Sequence, residues 1–208
     1  NDPGYSLEIV GQVQDLAKGQ SVDDFFSGAT KSPQEYRAIG HGFIDAIATL
    51  GKRGFVHGDL KPENAFYDPA TKKVTLIDTG SLAKLSKTPF DRPNTFNRGD
   101  RPYTPSYSLL SLSADKATGV EQDLYSVGVM LMELSARGEA YSSKNANAYG
   151  DFLEDSMAIH HKLLSNTLSE RKAKEQLNDL IARTFPITAT AMEAAGLKAM
   201  KLALDGGG

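Results

Sequence analysis

Asp59, Lys61, Asn64 and Asp78 are the residues of this chain whose types and spacing could do chemistry. Three of them lie in His57-Gly58-Asp59-Leu60-Lys61-Pro62-Glu63-Asn64, and Asp78-Thr79-Gly80 follows fourteen residues after Asn64. An Asp, a Lys two positions on and an Asn three further on can hold a hydroxyl, a phosphate and a metal ion at one point. A second Asp, returned to that point by a hairpin, completes a magnesium site from hard oxygen donors. This set suits phosphoryl transfer, in which positioning and charge stabilisation supply nearly all of the catalysis.

The elements that must position these residues are readable from pattern. Residues 5–16 alternate apolar and polar around Gly11, as one or two short strands would. Lys18 to Ser21 reads as a turn, and Val22 to Phe26 opens a short helix. Ser32-Pro33-Gln34-Glu35 combines an N-cap, a first-turn proline and a capping-box Glu. Behind it Ile39, Phe43, Ile47 and Leu50 fall on one face, which predicts a long, half-buried helix running to Gly51. Phe55-Val56 leads into the 57–64 loop. Ala65–Tyr67 and Val74–Ile77 read as strands joined by a hairpin loop at 68–73. Residues 84–107 are polar, proline-containing and aperiodic, a long loop of the kind that usually serves function. Asp123–Leu134 reads as an apolar, central helix, and 150–164, 168–184 and 188–204 as three more.

Composition sets outer bounds. The 208 residues suffice for one domain with a sizeable core. Net charge is −3, so no bulk electrostatic attraction to nucleic acid is expected. The chain has no cysteine, which excludes disulfides, thiolate catalysis and Cys-based zinc sites. The longest apolar stretch, Val127–Leu134, is interrupted by Gly128 and Glu133 and is too short to span a bilayer. With no basic-then-apolar leader at the start, a cytoplasmic protein is expected.

His57–Asn64 closely resembles the catalytic loop of eukaryotic-type Ser/Thr protein kinases, and Asp78 the Asp of their magnesium-binding triplet. Separate motifs occur in the family's order over nearly the whole chain. The resemblance implies an α+β fold: the kinase's mainly helical large lobe with short β-hairpins, the small N-terminal lobe being largely absent from this chain. Residues 1–16 would be the remnant leading to the hinge. Residues 17–205 would form the large lobe, with catalytic loop 57–64 and activation segment 78–111, and 206–208 a flexible tail. It further implies ATP and Mg²⁺ as cofactors and a protein substrate. Asp59 would be the catalytic base, Lys61 would neutralise the transferring phosphoryl, and Asn64 and Asp78 would hold the metal. Thr104 of Thr104-Pro105-Ser106-Tyr107 would bridge Asp59 and Lys61, and Asp123 of Asp123-Leu-Tyr-Ser-Val-Gly128 would support the loop backbone. Asp15 and Ala17 would bind adenine from the hinge, with Gln14 as gatekeeper and Phe66 under the ring.

The chain also departs from the family. Gly58 replaces the Arg that normally pairs with a phosphorylated activation-loop residue, so activity should not depend on that phosphorylation. Thr79 replaces Phe. The expected Ala-Pro-Glu reads Leu109-Leu110-Ser111, and the Arg that its Glu would pair with is missing from Pro186–Ala189. Losing both halves together is self-consistent, because one buried charge left alone is costly. The pattern is that of a divergent kinase, by analogy a bacterial effector acting in host cytoplasm. No Gly-x-Gly-x-x-Gly occurs, and no Lys precedes Lys18. Three expectations stay open: part of a longer kinase, a large-lobe-only scaffold, or a lobe completed by a small lobe on another chain. As given, the polypeptide is expected to bind ATP poorly.

Two other function classes compete. A pseudokinase or interaction module would use the lobe as a surface, but has no physical need for Asp59, Lys61, Asn64 and Asp78 together. A small-molecule kinase of the aminoglycoside or choline type also uses His-Gly-Asp, yet Lys61 and Thr104 favour a protein substrate. Among the histidines, His57 is expected to pack under the loop, His41 to be structural, and the adjacent His160-His161 to be solvated. Ser81, Ser86, Thr88 and Thr95 are candidate autophosphorylation sites.

Overall fold

A computed structural model describes residues 16–27, 31–84, 104–108, 120–138, 143–185 and 190–205. The chain enters through β1 (Gln20–Ser21) and α1 (Val22–Ser27), then α2 (Pro33–Lys52). The predicted capping box is formed: Ser32 Oγ accepts from the Glu35 amide at 3.3 Å, and the Ser32 amide donates to Glu35 Oε2 at 2.8 Å. β2 (Phe55–Val56) precedes the 57–64 loop. The hairpin of β3 (Ala65–Asp68) and β4 (Lys73–Leu76) follows, then β5 (Ala83–Lys84). Four helices complete the described chain: α3 (Val120–Gly138), α4 (Ser143–Leu164), α5 (Glu170–Thr184) and α6 (Ala191–Leu204).

β1, β3 and β4 form one antiparallel sheet with Ser21 opposite Phe66, and β2 pairs with β5. Gln20-Ser21 is therefore strand, where the sequence suggested a turn. A two-residue strand has no period of its own and is defined only by its distant partner. α4 begins seven residues before its predicted start at 150. Residues 5–15 of the predicted strands lie outside the described residues, as do 85–103 and 109–111 of the expected activation segment 78–111.

α3 is the axis of the fold. Val127, Met130, Leu131 and Leu134 pack against α1, α2 and the β3–β4 hairpin, while Tyr125, Val129 and Met132 pack against α4, α5 and α6. The two apolar faces make it central, as its sequence suggests. Its approach to α6 is close because Gly128 faces Gly196: a Cβ on Gly128 would lie 2.9 Å from the Gly196 carbonyl oxygen. Among the described residues no helix is long and apolar enough to cross a membrane.

His160 corrects the sequence reading. It is buried on α4, only His161 facing solvent, because two adjacent helical positions cannot share a face. His41 is exposed on α2. Ser81 is buried at 5% exposure, so it is no accessible phosphate acceptor in this fold. The other three candidate acceptors lie outside the described residues.

Candidate active site

The 57–64 loop is held from beneath by α3. Both oxygens of the buried Asp123 carboxylate accept backbone amides, from His57 at 2.7 Å and Gly58 at 2.9 Å. Burial pushes the Asp123 carboxyl above its ordinary range, and the two amide donors pull the other way without cancelling that push. His57 is fully buried, and its Nε2 lies 3.0 Å from the Ile77 carbonyl. A carbonyl can only accept, so Nε2 carries the hydrogen. Gly58 has φ +85°, and a Cβ there would lie 3.0 Å from the Ser81 carbonyl oxygen. Glycine thus fits a left-handed backbone position that presses on the turn after Asp78.

Asp59 is the hub. Its Oδ1 accepts from the Thr104 amide at 3.1 Å and hydroxyl at 3.3 Å, while its Oδ2 accepts from Asn64 Nδ2 at 3.1 Å and pairs with Lys61 Nζ at 3.3 Å. Lys61 Nζ also donates to Thr104 Oγ1 at 3.0 Å. Thr104, from a loop over forty residues away, therefore sits between Asp59 and Lys61. Asp59 is only 4% exposed, so these donors replace the solvation that its carboxylate lost.

Asn64 also donates Nδ2 to the Asp59 carbonyl at 2.8 Å. Both amide hydrogens are then spent on acceptors. This fixes the amide orientation and leaves Oδ1 as a bare oxygen donor. The Asn64 carbonyl accepts the Ile77 amide at 2.9 Å, which carries the hairpin's return strand back to the loop. The next residue, Asp78, is exposed and left-handed (φ 55°), and its Oδ1 accepts from the Gly80 amide at 3.3 Å. Among the described residues no group of three or more His, Cys, Asp and Glu side chains could hold a metal by itself. An amide oxygen and a carboxylate are the kind of hard donors that Mg²⁺ accepts while keeping much of its shell for water and phosphate.

Phe66 is half-buried on β3, and Ala17 lies just before β1, which pairs with β3 at that residue. Asp15 and Gln14 lie outside the described residues. Sequence reasoning missed the residues that seat the Thr104 turn. Ser126 Oγ donates to the Tyr107 carbonyl at 2.7 Å, and the Tyr107 hydroxyl donates to Glu133 Oε2 at 2.7 Å. Burial and the Glu133 charge both push the Tyr107 hydroxyl far up, so it remains a donor. Glu133 and Arg137 at i and i+4 were the only visible signal, and such pairs are usually surface decoration.

The fold is thus built on α3, with an Asp–Lys–Asn loop bound to the residue after β4 and with Asp78 next in the chain. The family model of the protein kinase domain matches residues 9–191, and the chain belongs to the protein kinase family. It is similar to a serine/threonine-protein kinase US3 homolog of Gallid herpesvirus 2, 30% identical over 115 residues, covering 55% of this chain and 27% of the relative. A probable casein kinase I homolog of Encephalitozoon cuniculi is 30% identical over 133 residues, 61% of this chain and 42% of the relative. Serine/threonine-protein kinase pkn2 of Myxococcus xanthus is 28% identical over 135 residues, 62% of this chain and 16% of the relative. The chain thus spans less than half the length of these curated relatives.

Proposed function

We propose that this chain carries the catalytic centre of a Ser/Thr protein kinase, which transfers the γ-phosphoryl of ATP to a protein hydroxyl. The observation that carries the reading is the Asp59 carboxylate, fixed at both oxygens by Thr104, Asn64 and Lys61. In this reading Asp59 takes or orients the proton of the attacking hydroxyl, and its fixed rotamer aims that hydroxyl in line with the phosphorus. Lys61, held by Thr104, offers its ammonium to the charge on the transferring group. Asn64 Oδ1 and the Asp78 carboxylate would hold Mg²⁺, which when bound neutralises phosphate charge. Ala17 and Phe66, with Asp15, would receive the adenine.

Two other readings are less well supported. A scaffold does not need a carboxylate buried among four donors, since such a hub is costly to build without a use. For an aminoglycoside-type kinase, the Lys61–Thr104 contact is the argument against, because it builds an acceptor-side loop into the catalytic centre.

Calorimetry of ATP binding with and without Mg²⁺, on the full-length protein and its Asp78→Ala variant, tests the reading. Mg²⁺-dependent binding that disappears in the variant is expected. Binding that ignores both Mg²⁺ and Asp78, or no binding at all, would leave the scaffold. Offering Ser/Thr peptides and aminoglycosides side by side tests the acceptor class. Transfer to the small molecule alone would overturn the protein-kinase assignment.

A further inference from the structure

Arg137 lies in the last turn of α3 and touches two parts of the lobe at once. Its Nε and Nη2 donate to Glu133 Oε1 at 3.0 and 2.8 Å, and its guanidinium carbon lies 4.9 Å from the centroid of the Phe26 ring on α1. Glu133 is 5% exposed, and its other oxygen accepts hydroxyls from Tyr107 at 2.7 Å and from Tyr149 of α4 at 3.3 Å. Tyr107 is held at its carbonyl by Ser126, and its amide donates to the Thr104 carbonyl at 3.0 Å. Thr104 in turn contacts Asp59 and Lys61. A cation–ring contact to α1 and a continuous path of polar contacts from α3 therefore lead to the Asp59 carboxylate.

We propose that Arg137 is a positioning residue: clamped between Phe26 and Glu133, it fixes the Glu133 carboxylate in place and so seats the Tyr107 turn that places Thr104 on Asp59. The consequence for catalysis rests on the kinase reading above, whereas the consequence for the turn does not. The Glu133 carboxylate is buried, and without the guanidinium it loses the two N–H donors that fix its Oε1. A carboxylate no longer held on that side is free to turn from the Tyr107 hydroxyl, whose bond to it is charge-assisted. The planar guanidinium is suited to the task, since it can stack on a ring while donating two N–H bonds to one carboxylate. Arg137 also answers the missing ion pair. Leu109-Leu110-Ser111 and Pro186–Ala189 lack the Glu and Arg expected to tie down this loop, and Glu133–Arg137 supplies an ion pair with a buried carboxylate at the Tyr107 end of it.

The test is hydrogen exchange at the Thr104 and Tyr107 amides of the full-length protein, with initial-rate kinetics on a degenerate Ser/Thr peptide library. Arg137→Ala is expected to speed exchange at these amides about tenfold while the α5 and α6 amides keep their protection. It should also lower kcat by about tenfold with the KM for ATP within about twofold. The double variant Glu133→Gln with Arg137→Met removes both charges and keeps an acceptor for Tyr107, so it should recover most of both losses. Unchanged exchange at Thr104 and Tyr107 in Arg137→Ala would overturn the proposal, as would a double variant no better than the single one. If the unsubstituted protein phosphorylates no peptide, the kinase reading fails, and exchange alone decides the role of Arg137.

Discussion

Asp123→Ala removes one acceptor group that satisfies two backbone amides of the 57–64 loop. The His57 amide, 2.7 Å from Oδ2, is buried, and the Gly58 amide, 2.9 Å from Oδ1, is partly so. A buried donor left without a partner costs about 1–3 kcal/mol. Two such donors give about 2–6 kcal/mol, reduced because the variant no longer buries a carboxylate. A net loss of about 2–4 kcal/mol is therefore expected from urea unfolding, with faster exchange at the His57 and Gly58 amides. The pH dependence has a definite sign. Burial raises the Asp123 carboxyl in the folded state above its ordinary 3.8, so the folded chain holds that proton more tightly than the unfolded one. Asp123 therefore favours folding most below 3.8, and that contribution is lost as pH climbs from 3.8 through the raised folded value. The stability lead of the natural protein over Asp123→Ala should shrink across that window as pH rises. A loss below about 1 kcal/mol, with both amides still protected, would refute the account of how α3 holds the loop.

Three further substitutions probe other supports of the site. Gly58→Ala forces a side chain into a left-handed position, and the new Cβ would sit 3.0 Å from the Ser81 carbonyl; a loss of about 1–2 kcal/mol is expected by chemical denaturation. Gly196→Val drives Cβ to within 2.8 Å of the Gly128 carbonyl and should cost about 1–3 kcal/mol by overpacking, with a matching fall in Tm. Ser32→Ala removes half of the capping box of α2 and should cost about 1 kcal/mol, again read from denaturation. If the Gly196 variant were neutral, α3 and α6 would not meet as closely as described.

Legibility tracked how local each signal was. The capping box at Ser32–Glu35, the period of α2 and the Asp59–Asn64 loop are short-range patterns, and each appears where the residues implied. Asp123 and Thr104 were legible only through resemblance, because their partners lie 65 and 45 positions away. The pairing of β1 with β3 and of β2 with β5 was not legible, since two residues carry no periodicity and the partner strand supplies the geometry. His160 was misread because its neighbour obscured which face turns inward. The Glu133–Arg137 pair looked like any exposed helical pair, and only the tertiary fold reveals that tyrosines from two other segments close over its carboxylate.

The most direct measurement is transfer of label from γ-labelled ATP to a Ser/Thr peptide library by the full-length protein, compared with its Asp59→Asn variant. The account predicts Mg²⁺-dependent phosphoserine or phosphothreonine formation that falls by about 10²–10⁴-fold in the variant, the usual worth of a positioned proton acceptor. Peptide phosphorylation that survives Asp59→Asn undiminished would contradict it, because the carboxylate that Thr104, Lys61 and Asn64 converge on would then have no part in the chemistry.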